Sequence, residues 1–234
     1  MQRYLSATRY LTTNDAKLKK IVENITKDDK TEVEKAVTIY HHVKETVKFG
    51  WCTQFYAMNA REIYDSGYGY CNTKATLFNT MLRIAGIPAR QHFYLINADI
   101  LAPFASPSKW VEHSTTEVFL NDKWLEVDSY VSDTKLYNKA MKSLKDENKV
   151  LGWGAHIDSA DDWDGTTDSF QQLVRGDKVK IFSKDFGVFN DTEEFYKTAD
   201  PKFLPTKRTW FLSAIFYVVL PMANNNVIRY RDGK

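Results

Sequence analysis

The sequence predicts an α+β fold in which a helical N-terminal lobe packs on an antiparallel sheet. Two observations carry the helical part. Apolar residues recur at helical spacing through Leu18, Ile21, Val22 and Ile25, and again through Val33, Ala36, Val37, Ile39, Tyr40 and Val43. A third stretch, Ala75, Leu77, Phe78, Met81, Leu82 and Ala85, repeats the pattern. The sheet is predicted by a change of period after Arg90, where residues 91–96 and two runs flanking Asn121-Asp122 read as strands. At 234 residues the chain suits one domain, or one core with a decorated C-terminus.

Each element has a local cause. Thr13 or Asn14 can cap the first helix. Thr31 and Glu34 have capping-box spacing ahead of the second. Its His41 and His42 are adjacent, but further metal ligands at compatible spacing are missing, so packing or solvated roles are expected. Residues 47–51 are short and extended. Residues 60–64 lead into the stretch that organises the chain, residues 67–90, GYGYCNTKATLFNTMLRIAGIPAR. Gly86 supplies the stop of its helix, and Pro88 follows.

Cys71 stands at the start of that helix, where orphan N–H groups and the helix dipole favour an anion. A thiol so placed loses its proton more readily, and the thiolate is the nucleophile. Gly67 and Gly69 are expected to let the chain turn tightly and expose the sulfur. A buried structural cysteine is the alternative at this point. Downstream, His113 opens the first strand of a predicted hairpin and Asp128 closes the second, with Asn121-Asp122 at the turn. A short turn brings those strand ends side by side. A cysteine, a histidine base and a carboxylate that orients the base is the logic of an activated nucleophile. His92 competes for the base role but lacks a following carboxylate at hairpin spacing, so His113 is preferred.

Taken together, Gly69-Tyr70-Cys71, the helix ending in residues 82–90 (LRIAGIPAR), and the His113, Trp124 and Asp128 hairpin resemble the transglutaminase-like superfamily. The resemblance covers roughly residues 31–133, with 134–234 decorating that core. It implies a papain-like fold with Cys71, His113 and Asp128 as catalytic residues. One departure is that His113 is followed by Ser114-Thr115, where the family often has an aromatic residue; this leaves the substrate channel open. The implied chemistry is acyl transfer on an amide or peptide bond through a thioester, with water or an amine as acceptor. A scaffold that keeps the fold without turnover and a tailoring enzyme acting on a small molecule are the competing functions. An oxyanion hole needs a second donor besides the Cys71 N–H. Trp51 or Gln54 can supply it, although core packing is the other role for Trp51. Cys52 reads as a bystander thiol, since a Cys52–Cys71 disulfide would block catalysis. No cofactor is expected, and the substrate class is a peptide, a protein or a small amide.

Composition narrows the partners. Apolar residues make up 43%, and 32 basic against 30 acidic side chains leave a net charge of +2. That balance argues against a nucleic-acid surface. Two cysteines make no disulfide framework. No apolar run follows Met1 closely enough for a signal peptide, so a cytoplasmic protein is expected, with a processed secreted form left open. Oligomeric state is not legible. Residues 97–109, with Pro103 and Pro107, read as a loop over the site. Residues 134–149 read as a helix. Asp158, Asp161, Asp162 and Asp164 lack the glycine and closing glutamate of a calcium loop and read as solvated, with His156 nearby and without an evident partner. Asp185-Phe186-Gly187 has none of the accompanying kinase motifs. A helix is expected to start near Asp191 or Thr192. Residues 210–220, WFLSAIFYVVL, are too short to span a membrane and read as a buried helix or strand ended by Pro221, with a polar surface tail from Asn224.

Overall fold

A computed structural model of the chain describes residues 1–52, 54, 56–105, 109–176, 179–200, 202 and 210–233, with residues 210–219 as backbone alone. After a 3₁₀ turn at Gln2–Tyr4 come α1 (Ala16–Ile25), α2 (Glu32–Thr46), β1 (Lys48–Phe49), α3 (Ala60–Ser66), β2 (Tyr68–Gly69) and α4 (Cys71–Ile84). The predicted capping box forms on α2: the Glu34 N–H donates to Thr31 Oγ1 at 3.1 Å, and Glu34 Oε2 accepts from the Thr31 N–H at 2.9 Å. For α1 the cap is Asp15 rather than Thr13 or Asn14, its carboxylate accepting from the Leu18 N–H at 2.9 Å.

Helix α4 is the axis of the molecule. Every residue from Cys71 to Arg83 is buried, so it is enclosed on all sides rather than on one apolar stripe. Most of its polar side chains find partners inside the protein, Asn79 Oδ1 being buried without one. Thr76 and Thr80 donate to the carbonyls four residues back, and the Arg83 guanidinium donates to the carbonyls of Ser6, Ala89 and Asn190. The helix ends in a Schellman motif. Gly86, at φ 83°, donates to the Arg83 carbonyl, and the Ile87 N–H reaches the Leu82 carbonyl at 3.0 Å.

The chain then forms β3 (Ala89–Asn97), β4 (Trp110–Leu120) and β5 (Lys123–Val127). Asn121 and Asp122 both have positive φ, 49° and 61°, which is the two-residue turn that matches strand twist. After α5 (Thr134–Asp146) and the short pair β6 (Leu151–Gly152) and β7 (Ala155–His156), β8 (Phe182–Phe189) adds the outer strand, giving an antiparallel sheet of order β5-β4-β3-β8. The last helices are α6 (Thr192–Thr198), capped by Asp191 as expected, and α7 (Trp210–Asp232). The α+β architecture is thus the one the sequence predicts.

Four expectations need correction. Pro221 does not end the apolar run but lies inside α7, which continues to Asp232. Asn224 is not a surface residue of a polar tail, because its amide pairs with the Trp51 backbone. The segment 97–109 is not simply a loop: residues Ala98–Leu101 form a 3₁₀ turn, and Pro107 lies outside the described residues. The acidic run is not wholly solvated, since Asp161 receives the buried Lys44 ammonium at 2.6 Å.

Candidate active site

Three elements converge. Tyr70 precedes the first turn of α4, and its N–H donates to Thr73 Oγ1 at 2.9 Å, fixing where the helix begins and therefore where Cys71 sits. Cys71 is the first helical residue. It is 7% exposed, so Gly67 and Gly69 do not bare the sulfur as expected. Gly69 serves the neighbours instead: a β-carbon there would stand 2.8 Å from Lys74 Cγ and 3.0 Å from Thr73 Oγ1. Gly67 stops α3 in the left-handed conformation.

His113 lies inside β4 rather than opening it, and Asp128 follows the last residue of β5. The hairpin register sets Thr116 against Val127, so Asp128 falls beside Thr115 and diagonal to His113 on the same face. His113 Nε2 and Asp128 Oδ2 are 2.8 Å apart, and both side chains are fully buried. The other ring nitrogen, Nδ1, is buried and has no hydrogen-bond partner. Burial is the strongest influence on the ring and opposes its charged form. The charge of Cys71, followed by the hydrogen bond of Asp128, outweighs it and pushes His113 up to about 10.

The Asp128 carboxylate is held by a feature the sequence did not disclose. Residues 169–173 run beside β5, tied by the Asp128 N–H to the Ser169 carbonyl and the Ser169 N–H to the Glu126 carbonyl, each at 3.0 Å. Three successive backbone N–H groups then point at the carboxylate. Gln171 donates to Oδ1, Gln172 to Oδ1 at 3.2 Å, and Leu173 to Oδ2 at 2.9 Å. These bonds hold the carboxylate still.

A cavity of about 30 Å³ opens over Cys71, room for one or two waters. Cys71, Asn72, Glu112, His113 and Gln172 share it with Trp51 and a set of apolar side chains. Trp51 is thus at the site, its ring packed edge-on against Phe49 at 5.3 Å. Its backbone is clamped by Asn224 of α7, which accepts from the Trp51 N–H at 2.7 Å and donates to its carbonyl at 2.6 Å. Gln54 is exposed and does not line the cavity. Asn72 Nδ2 donates to the Tyr196 hydroxyl at 3.2 Å, and Gln172 Nε2 to the Gly154 carbonyl at 2.9 Å, so both amides are engaged.

The remaining candidates lie elsewhere. Cys52 and Cys71 are both unbridged; Cys52 donates to the Tyr68 carbonyl, and burial pushes its thiol up to about 11. His92 does have carboxylates, but across strands rather than along a hairpin. Its Nδ1 meets Glu117 at 2.9 Å and its Nε2 meets Asp185 at 2.6 Å, and it does not line the cavity. His156 is buried and accepts from the Asp158 N–H at 3.0 Å. His42 stacks on Tyr64, and His41 faces Asp162 at 3.4 Å. Among the described residues, no group of three or more His, Cys, Asp or Glu could hold a metal ion, and no helix is long and apolar enough to cross a membrane.

Residues 19–129, a little under half of the chain, match the sequence model of the transglutaminase-like superfamily. Two solved structures are similar. One is a Cytophaga hutchinsonii protein provisionally named a cysteine protease: TM-score 0.43, 20% identity, 53% of this chain and 39% of that one. The other is a Parabacteroides distasonis protein provisionally named a protease: TM-score 0.37, 18% identity, 59% of this chain and 26% of that one. This chain therefore spans well under half the length of either protein. No curated protein matches it.

Proposed function

We propose that the protein is a cysteine-dependent acyltransferase or hydrolase acting on an amide or peptide bond. The observation that carries this is the state of the His113 ring. One nitrogen is fixed on Asp128 at 2.8 Å, and the other is buried, unpartnered and on a ring that feels the Cys71 thiol. In this reading His113 takes the Cys71 proton, and the thiolate attacks the carbonyl carbon. The C–S bond forms as the negative charge moves to oxygen, where the Cys71 N–H stabilises it. Trp51 is the better second donor candidate, because it lines the cavity and Gln54 does not. Collapse breaks the C–N bond, and His113 protonates the leaving amine. Water or a second amine then attacks the thioester, His113 takes its proton, and the thiolate is released. Asp128 keeps the imidazole in the tautomer that this sequence needs.

Retention of all three residue types with fixed geometry favours turnover over a scaffold. The test is intact-mass analysis after incubation with p-nitrophenyl acetate. An acetyl group on Cys71 in the wild type, and none in Cys71→Ala, is the expected result. Acetylation that persists in Cys71→Ala at an unchanged rate removes Cys71 as the nucleophile.

A further inference from the structure

Asn72 follows Cys71 in α4, is 1% exposed and lines the same cavity, yet the mechanism above gives it no task. Its side-chain amide stands between two groups. Asn72 Oδ1 accepts from the Cys71 thiol at 3.5 Å, and Nδ2 donates to the Tyr196 hydroxyl of α6 at 3.2 Å. The thiol is thus paired with an amide oxygen while His113 Nδ1 has no hydrogen-bond partner. The amide is braced from both sides. Tyr196 is 4% exposed, and its ring stacks on Tyr56 with centroids 3.7 Å apart. The Asn72 carbonyl accepts from Thr76 Oγ1 at 3.0 Å and from Gln91 Nε2 at 3.3 Å, and Thr192 at the start of α6 donates to Gln91 Oε1 at 3.0 Å. Buried hydrogen bonds therefore tie the helix of the nucleophile to the helix of Tyr196. Packing alone does not ask for asparagine here: it is a poorer helix residue than leucine, and its amide is costly to bury without partners.

Thiolate formation changes what this amide must do. While the sulfur keeps its proton, Oδ1 is a fit partner. Once His113 has taken the proton, the same oxygen would face an anion. The terminal torsion of asparagine is roughly two-fold, and a tyrosine hydroxyl donates or accepts. Half a turn of the amide puts Nδ2–H on the sulfur and Oδ1 on the Tyr196 hydroxyl, which then donates. Both amide ends are paired in either state, and the only proton that changes atoms is the one His113 receives. Resting on the cysteine chemistry proposed above, we infer that Asn72 is a further catalytic residue: its amide accepts from the Cys71 thiol at rest and donates to the thiolate, with Tyr196 the positioning residue that reverses its own hydrogen bond to match.

The test combines infrared spectroscopy with alkylation by iodoacetamide on the full chain. In a Cys52→Ala background the remaining S–H stretch belongs to Cys71. Asn72→Leu, which keeps the volume and removes both amide ends, should raise its frequency, because a free S–H vibrates faster than a donating one. Asn72→Leu should also slow alkylation of Cys71 at neutral pH by about tenfold, the usual scale of one hydrogen bond to a charged group. Tyr196→Phe keeps the ring and its stack on Tyr56, so a purely structural Tyr196 predicts no change. The inference predicts a loss of about threefold, and no further loss when Tyr196→Phe is added to Asn72→Leu. Circular dichroism checks each fold, and Asn72→Ala replaces Asn72→Leu if that variant does not fold. A Cys71 without an S–H band, a band that Asn72→Leu leaves in place, or alkylation in Asn72→Leu within about twofold of wild type overturns the inference. So does an unchanged rate in Tyr196→Phe, or a loss there that is the same with and without Asn72. The acyl-transfer reading fails separately: it falls if p-nitrophenyl acetate does not acetylate Cys71, while the band shift and the alkylation rates still read the Asn72 contact.

Discussion

At the residue scale the chain carries two thiols with different surroundings, only Cys71 lining the cavity. Cys52 is buried away from any base and its thiol is pushed up to about 11, so it becomes reactive only in strong alkali. Cys71 stands at the start of α4 and shares a cavity with His113. Iodoacetamide at neutral pH should therefore label Cys71 faster than Cys52, as read by peptide mass spectrometry; equal rates would remove the activated thiolate. Asp128→Asn tests the orienting group. The substitution keeps the volume but gives Nε2 a weaker partner, and three backbone donors then face an amide instead of a carboxylate. The expected outcome is a folded protein whose acylation rate falls roughly a hundredfold. A rate within twofold of wild type means that another group orients the ring. Cys71, His113 and Asp128 could be picked out as candidates because chemistry of this kind demands particular residue types in order. The backbone cradle on Asp128 could not, because an N–H donor leaves no residue signature.

At the element scale, α4 and α7 carry the features that local pattern reading missed. Lys74 sits in α4 fully buried, its ammonium donating to the Lys44 carbonyl at 3.2 Å. Burial is the main cause that lowers its pKa from 10.5 to about 7, with Asp133 and Glu45 opposing. A lysine whose pKa is depressed on folding costs nothing above its unfolded pKa, where both states are neutral. The cost grows as pH falls from 10.5 and is complete below about 7. Lys74→Met should therefore stabilise the protein by about 1–4 kcal/mol near pH 6, with the gain shrinking toward pH 10. Denaturant titrations at the two pH values decide it, and a loss of stability at both would show that the ammonium is held by more than it costs. Helical spacing marked the apolar positions of α4 but could not show that its polar positions are buried too, because that depends on three other helices and the sheet arriving around it. Asn224 makes the same point for α7. Read alone it was a polar tail residue; in the fold it completes the Trp51 peptide group on both sides. Asn224→Ala leaves a buried N–H and carbonyl unpaired and should cost about 1–3 kcal/mol in thermal or denaturant unfolding.

At the scale of the whole molecule, the superfamily match and the physical site have different boundaries. The match ends at residue 129, just past Asp128. The groups that hold Asp128 come from residues 171–173, and the clamp on Trp51 comes from α7. Residues 134–234 were expected to decorate a complete core, and they also reach into the site. Sequence reading could place the candidate residues within the matched segment, since the hairpin turn and the helix start are local. It could not foresee that a distant segment returns along β5, because that pairing is long-range and made by main chain. A chain ending at Asp133 tests what the matched segment does alone. It loses the three N–H donors, the Asn224 clamp and the outer strand β8, and exposes the edge of β3 that β8 pairs with. It should show no cooperative melt and no difference in labelling between Cys71 and Cys52. Truncation alone would confound folding with the cradle, so Gln171→Pro in the full chain isolates the latter. Proline removes one donor to Asp128 and leaves β8 and α7 in place. With one fewer donor the carboxylate, and through it the His113 ring, is held less firmly. The rate of Cys71 acylation should then fall while the circular dichroism spectrum stays close to wild type. An unchanged rate in a folded Gln171→Pro protein would mean that the two remaining N–H groups and His113 suffice to hold Asp128 in place.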